Sequence, residues 1–457
     1  MSKRGQSAPR AAHFSESVFR DNLGAEVRWD SREFAQALSD EKLPRRTKLQ
    51  ARSYKTSGAF PVIDQGQNEV AGWTDDHTLV IDSGLPYVVF GDHTRNFKYV
   101  NCPFVLGADG TQLLKPSNEF CASFFYFACL QLDLPSRGYN RHFTFLKEKS
   151  LPLPPKPEQE KIAAILWKLQ RAIATQDQLI AATRDLKQSA MQRLFTHGLR
   201  GEALKDTEIG PMPKSWRIER CEDVTREITV GVVVRPASHY VESGVPAFRS
   251  MNVKEDFIDD RNLVYFGQEA NDTILSKSKL AARDILIVRT GYPGTSSVVP
   301  EHYEGANCID LVVVRPDLDL ALPEYLSRFF NSHLGRSQTT ASSYGLAQQH
   351  LNVGAVKRTL IGLPGLDEQR EIATALASVD RKLTHHQRKR AALNDLFQTL
   401  LHKLMTAEIR VADLDIDTSE VTDQFVDPNE LVGQDAGPAW VRRSTDRKKP
   451  STRRRNR

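Results

Sequence analysis

The sequence predicts an α+β protein assembled twice. Two mixed α/β globular domains are expected to be separated by two long helices, which pair as an antiparallel coiled coil and relate the halves by a pseudo-twofold. Three observations predict this. The stretch from Leu153 to Thr196 returns as Leu363 to Thr406 at a constant offset of 210 with no gap, and 15 of 44 positions are identical. A fixed offset of that size in 457 residues marks an internal repeat. Both copies carry apolar residues at alternating spacings of four and three, the seam of a coiled coil. And each copy follows a long segment in which short β-branched or aromatic runs alternate with Gly, Asp and Asn turns.

In chain order, residues 1–25 are polar and read as a loosely held N-terminal arm. Residues 26–152 form the first globular domain, opening near Trp29. Its strand candidates are Pro61–Ile63, Thr78–Ile81, Tyr87–Phe90 and Pro103–Leu106. The apolar run from Phe120 to Leu130 suits a packed helix or a buried strand, and periodicity does not choose between them. Residues 153–200 are the central helix. Prolines at 154, 155 and 157 and early carboxylates at 158 and 160 suit a helix start, and Gly198 and Gly201 suit its end. Its seam runs through Ile162, Leu166, Leu169, Ile173, Gln176, Ile180, Thr183, Lys187, Ala190 and Leu194.

Residues 201–362 form the second domain, in which Pro246–Phe248 answers Pro61–Ile63 and Asp284–Val288 answers Tyr87–Phe90. Residues 363–410 are the distal helix, with its seam at Ile372, Leu376, Val379, Leu383, His386, Arg390, Leu393, Phe397, Leu400 and Leu404. At 1.5 Å per residue each helix spans on the order of 55 Å, the length of a rigid spacer. Residues 411–457 are an acidic tract followed by a basic tail, a composition expected to be disordered.

Charge is local rather than global. The overall balance is +5, yet the last sixteen residues, Arg442 to Arg457, hold nine basic side chains against the lone Asp446. The rest of the chain is therefore slightly acidic, so a nucleic-acid surface on the body must be a patch. Cys102, Cys121, Cys129, Cys221 and Cys308 form no CxxC pair, no zinc spacing is present, and no signal peptide precedes the first domain. Reduced thiols in a cytoplasmic protein without membrane spans are expected. Motifs for chemistry are missing too. Gly291–Thr295 lacks the lysine of a phosphate loop, and no GxSxG, HExxH or [DN]PP[YF] run occurs. The expectation is a chain with no catalytic residues, no metal and no cofactor of its own.

The turns of both domains instead collect side chains suited to DNA edges and phosphates. The first has Lys55, Gln65, Gln67, Asn68, His93, Arg95, Arg137, Tyr139, Asn140 and Arg141. The second has Arg249, Asn252, Lys277, Arg289, Thr290, Tyr292, Gln348 and Gln349, with His350 beside them. Arginine matches guanine, Asn and Gln match adenine, and Lys and Thr match phosphate. Solvated loops carry the same residue types, so a protein-binding scaffold and an enzyme of unfamiliar sequence both remain open on these residues alone.

Longer stretches narrow the choice. SGAFPVIDQGQ (57–67), VVFGDHTR (88–95), DILIVRTGYPG (284–294) and the helix starts LPPKPEQEKIAAIL and LPGLDEQREIATAL resemble the specificity subunit of Type I restriction-modification systems, over nearly the whole chain. The resemblance implies two target-recognition domains, each reading half of a bipartite, asymmetric DNA site. It implies helices that fix the spacing and dock two methyltransferase (modification) subunits, joined by restriction motor-nuclease subunits, so that adenine methylation and restriction are directed to the site. S-adenosylmethionine, ATP and Mg2+ would belong to those partners. The tail beyond residue 410 departs from the family's usual ending, either as a phosphate-binding arm or as a solvated extension.

Overall fold

A computed structural model of the chain describes residues 19–20, 26–27, 29–44, 47–107, 110–134, 142–341 and 350–419. Of the expected arm (1–25) only residues 19–20 are described, and of the tail (411–457) only 411–419; the remainder lies outside the described residues. Residues 411–419 are not the disordered extension expected there, since Val411 is buried in the core of the first unit and its amide is held by Glu158. Among those described, the helices are α1 (Ala122–Gln131), α2 (Phe143–Lys147), α3 (Lys156–His197), α4 (Gln268–Asp272), α5 (Pro323–Asn331), α6 (His333–Ala341), α7 (Val353–Arg358) and α8 (Leu366–Met405). The chain forms two compact units, Met1–Leu179 with His386–Arg457, and Ile180–His385. The division falls inside α3 and inside α8, so each unit owns half of each long helix.

In the first unit the strand Phe60–Ile63 is central. It pairs antiparallel with Gly72–Thr74 (Pro61 opposite Trp73) and parallel with Phe104–Leu106 (Val62 opposite Val105), which in turn holds Val80–Ile81. A second sheet places Tyr87–Gly91 between Thr111–Leu114 and Phe97–Val100. Asp30–Glu33 and Ser150–Leu153 pair at the entry to α3. The expected strand at Thr78–Ile81 is shortened to Val80–Ile81, because Asp76 accepts the Thr78 amide and turns His77–Leu79 into a 3-10 helix. The undecided run after Phe120 is helix α1. It is buried from Ser123 through Leu130, which is why no apolar stripe marked it as a helix.

The second unit repeats the plan. Val245–Phe248 pairs antiparallel with Val264–Phe266 (Pro246 opposite Tyr265) and parallel with Asn307–Cys308 (Ala247 opposite Asn307). Ile285–Val288 lies between Leu311–Pro316 and Ser296–Val298, and Arg217–Arg220 pairs with Leu360–Leu363 before α8. Both correspondences read from the sequence, Pro61–Ile63 with Pro246–Phe248 and Tyr87–Phe90 with Asp284–Val288, hold in these pairings, while the edge strands of the sheets differ.

Within each unit the two helix halves run antiparallel. In the first unit Glu158 of α3 meets Arg410, and further along Gln176 meets His386 at 2.9 Å and Asp177 meets Arg390. In the second, Lys187 meets Asp380 and Leu199 meets Glu368. Ile162, Leu166, Ile372, Leu376 and Leu404 are fully buried, while Leu169, Ile173, Val379, Leu383 and Leu393 are half-buried. Helix α3 ends at His197, where Gly198 takes φ 63°.

Each helix start is fixed by the same pair of buried residues, Glu–Gln. The fully buried Gln159 donates to the Pro154 and Glu119 carbonyls (both 2.9 Å) and accepts the Cys121 amide (2.7 Å), the residue that opens α1. Gln369 donates to the Pro364 and Leu320 carbonyls (2.9 and 3.0 Å) and accepts the Leu322 amide (2.8 Å), which opens α5. Glu158 takes a bidentate pair from Arg410 (2.8 Å each), whose guanidinium also lies 5.2 Å over the Trp29 ring. Burial pushes the Glu158 carboxyl up, but Arg410 and the Val411 amide outweigh it and hold the group below the usual carboxylate range. Glu368 accepts instead from the Leu199 amide (2.8 Å) and the Trp216 indole (3.2 Å).

Candidate nucleic-acid interface

The candidate residues gather at the turns beyond the central strands. In the first unit the chain leaves strand 60–63 through a loop at 64–68 and leaves strand 87–91 through a turn at 92–95. The fold brings the two together. Gln65 Oε1 accepts the His93 amide at 3.4 Å, and its side chain packs on Gly91 and Gly110, where a Cβ would come within 3 Å of it. Gln67 and Asn68 are exposed at the loop tip. The turn is rigid: Arg95 takes φ 64° and its Nη1 donates to the Leu134 carbonyl at 2.7 Å. Asp92 accepts the Phe143 amide at 2.7 Å, and its carbonyl contacts His142 Nδ1 at 2.8 Å. Leu134 and His142, the two described residues nearest Arg137, Tyr139, Asn140 and Arg141, are thus both tied to the 92–95 turn. Those four candidates themselves lie outside the described residues. Lys55 is apart from this cluster, in an exposed ion pair with Asp75 at 2.9 Å.

The back of the 64–68 loop is held by residues the sequence reading did not single out. Asn96 Nδ2 donates to the Gly66 carbonyl (3.2 Å), and buried Lys98 donates to the Asn68 carbonyl (2.5 Å) with Asp64 3.7 Å away. Burial pushes the Lys98 ammonium down, with Glu69 and Asp64 opposing, and the net direction is downward. Strand alternation offered a signal, since Lys98 shares a strand face with buried Val100.

In the second unit Arg289 and Thr290 leave strand 285–288 and pair with His350, Thr290 through a backbone bridge and through Oγ1 to Nδ1 at 3.0 Å. Each guanidinium nitrogen of Arg289 has a partner inside the protein. It donates to Asp310 (2.6 Å) and the Leu351 carbonyl (3.0 Å), and contacts His350 Nε2 (2.5 Å). It therefore presents His350 and Thr290 rather than its own guanidinium. Asp310, the residue that orients it, has no sequence signal. Tyr292 stands 81% exposed between Gly291 and Gly294, both at positive φ. Gln348 and Gln349, directly before His350, lie outside the described residues.

Asn252 proves to be scaffold. It is completely buried, accepts the Arg249 amide (3.0 Å) and donates to the Asp259 and Arg261 carbonyls (2.9 and 3.0 Å), so no group is left for a base. Arg249 keeps one guanidinium nitrogen on the Asn262 carbonyl at 2.6 Å. Lys277 is exposed on the turn 276–278, without a link to the others. Among the described residues no group of three or more His, Cys, Asp or Glu could hold a metal ion, and no helix is long and apolar enough to cross a membrane.

Two polar clusters of different make-up therefore stand on one repeated framework, and known proteins share that framework. The sequence model of the Type I restriction modification DNA specificity domain matches residues 45–183 and again 250–395. The chain belongs to that family. The double match reproduces the internal repeat, each half covering one recognition segment and much of the long helix that follows it.

Among relatives, the chain is similar to the specificity subunit of the Type I restriction enzyme MjaVIII of Methanocaldococcus jannaschii. The two are 23% identical over 58% of this chain and 63% of the relative. It is also similar to the EcoBI specificity subunit of Escherichia coli, at 24% identity over 58% and 59%. The chain thus spans about three fifths of the length of these relatives. The fold is shared with the S subunit of a Type I restriction-modification system from M. genitalium, at a TM-score of 0.56 and 16% identity over 86% of this chain and 99% of that one.

Proposed function

We propose that the chain is the non-catalytic DNA-specificity subunit of a Type I restriction-modification complex. Each unit reads one half of a bipartite site, and the long helices set the gap and dock two methyltransferase subunits, joined by restriction motor-nuclease subunits. Adenine methylation and restriction are then performed by those partners, which carry S-adenosylmethionine, ATP and Mg2+. The observation that carries this reading is the pairing of a repeated frame with unlike readers. Gln65 and His93, with exposed Gln67 and Asn68, face one half-site. Thr290, His350 and Tyr292 face the other. Unlike readers recognise unlike sequences, so the site is asymmetric. Each well-made bidentate base contact contributes about 1–3 kcal/mol of discrimination.

Docking of two equal partners is supported by the repeat itself. Ala181, Ala182, Asp185 and Leu186 are all exposed on α3, and the identical Ala391, Ala392, Asp395 and Leu396 are all exposed on α8. Leu186 is 54% and Leu396 45% exposed. No packing among the described residues demands this identity, whereas a partner binding once per copy does.

The test is to co-express the chain with its modification subunit in a methylation-free host and map methylated adenines across the genome. A split, asymmetric motif with a fixed gap is expected. A soluble complex that leaves the genome unmethylated would favour a protein-binding scaffold of the same fold.

A further inference from the structure

The two recognition segments are fastened to the long helices at one register but by opposite chemistry. Counting six residues from Cys121, which Gln159 holds, reaches Phe127 of α1. Counting six from Leu322, which Gln369 holds, reaches Arg328 of α5. Phe127 is fully buried, with its ring 5.1 Å from Trp167 of α3 and 6.2 Å from Phe397 of α8. Arg328 meets charges instead: Asp380 of α8 at 2.7 Å and Asp256 at 3.4 Å. Lys187 of α3 completes the group, 2.7 Å from Asp380 and 2.9 Å from Asp256. At the offset of 210, Lys187 stands where α8 has Phe397, and Asp380 stands where α3 has Gln170. Three corresponding positions differ together, uncharged in the first unit and charged in the second, where Asp256 supplies the second anion that balances Lys187 and Arg328.

Asp256 brings the recognition segment into this set. It sits at φ 63° on the tip of the hairpin formed by Val253–Lys254 and Phe257–Ile258. Its amide donates to the Ser296 carbonyl at 3.0 Å, and its Oδ1 accepts from Asn331 at 2.9 Å. The side chains of Lys187, Asp256 and Arg328 are only 12, 8 and 9% exposed, and Asp380 closes the set from its edge at 26%. The hairpin begins one residue after Asn252, which holds the Arg249 amide, and Ser296 lies on the strand beside Ile285–Val288, which runs on into Arg289 and Thr290. Both routes from the ionic set therefore end at candidate readers.

A buried ion set stabilises no better than well-packed apolar side chains of similar volume, and often less well. Its charge-assisted hydrogen bonds, however, fix donor and acceptor directions that an apolar contact does not. We propose that Lys187, Asp256, Arg328 and Asp380 are positioning residues that register the second recognition segment on its halves of α3 and α8, and so set the pose from which it reads its half-site. This rests on the DNA-specificity reading above.

The test uses the full chain in complex with its modification subunit, methylating three duplexes: the intact site, one altered in the first half-site and one altered in the second. Asp380→Asn is expected to lower discrimination against the altered second half by about tenfold, the worth of one mis-seated bidentate contact. Discrimination against the altered first half stays unchanged. The combined variant Lys187→Phe, Asp256→Asn, Arg328→Phe, Asp380→Gln imitates the apolar joint. It is expected to melt no lower than wild type yet still read the second half poorly. Full second-half discrimination in either variant, or equal loss at both halves, overturns the positioning role. A wild-type complex that distinguishes neither altered duplex overturns the specificity reading instead.

Discussion

Gln159 and Gln369 each satisfy two carbonyls and one amide that no helix or sheet can reach. A leucine of similar size at either place leaves the buried Pro154 or Pro364 carbonyl unmet and gives the two part-buried groups over to water, and an unmet buried group costs about 1–3 kcal/mol. Gln159→Leu and Gln369→Leu are therefore expected to lower stability by about 1–3 kcal/mol, read as a fall in melting temperature. Each substitution should loosen only its own unit, which hydrogen exchange of α1 and α5 amides resolves. A uniform loss of protection throughout the chain would contradict this. At this scale the sequence was legible in type but not in task. The Glu–Gln pair was visible as identity between the copies, and the buried partners that explain it were not. Asn252 shows the same limit in reverse, because an asparagine in a turn has the chemistry of a base reader and the fold encloses it completely.

Among the elements, the long helices were the most legible, since a period of four and three leaves a pattern that survives any surroundings. The short central strands were readable by matching the two halves to each other. Helix α1 was not, because apolar residues all round carry no phase, and Arg328 on α5 gave no hint that it points into a buried joint because arginine is ordinarily a surface residue. The exposed faces of α3 and α8 carry their own prediction. Leu186→Glu or Leu396→Glu removes apolar surface that is exposed among the described residues, so folding stability should change little. Each is expected to release one modification subunit, and the double variant both, as native mass spectrometry of the complex would show. Retention of two subunits by the double variant would place the docking surface elsewhere.

For the molecule as a whole, the repeated frame implies that readers are exchangeable while the frame stays. Replacing residues 26–152 by the corresponding segment of a family member should change one half of the methylated motif and leave the other half and the gap intact. Genome-wide methylation mapping decides it, and a change in both halves would show that the units do not read independently. The frame was legible from one sequence because it occurs twice. The readers were not, because they diverged and because turn geometry, not residue type, decides which side chains reach outward, as Arg289 and Tyr292 show in neighbouring positions.

The division of both long helices between the units also orders events on the ribosome. Residues 180–385 are contiguous, so the second unit can close as soon as its own segment has emerged. The first unit cannot. Its apolar stripe from Ile162 to Ile173 is covered in part by Phe397, Leu401 and Leu404, which follow more than 200 residues later. At synthesis rates of about 5–20 residues per second, that stripe waits on the order of 10–40 s for its cover. The half of the protein made first is the half completed last.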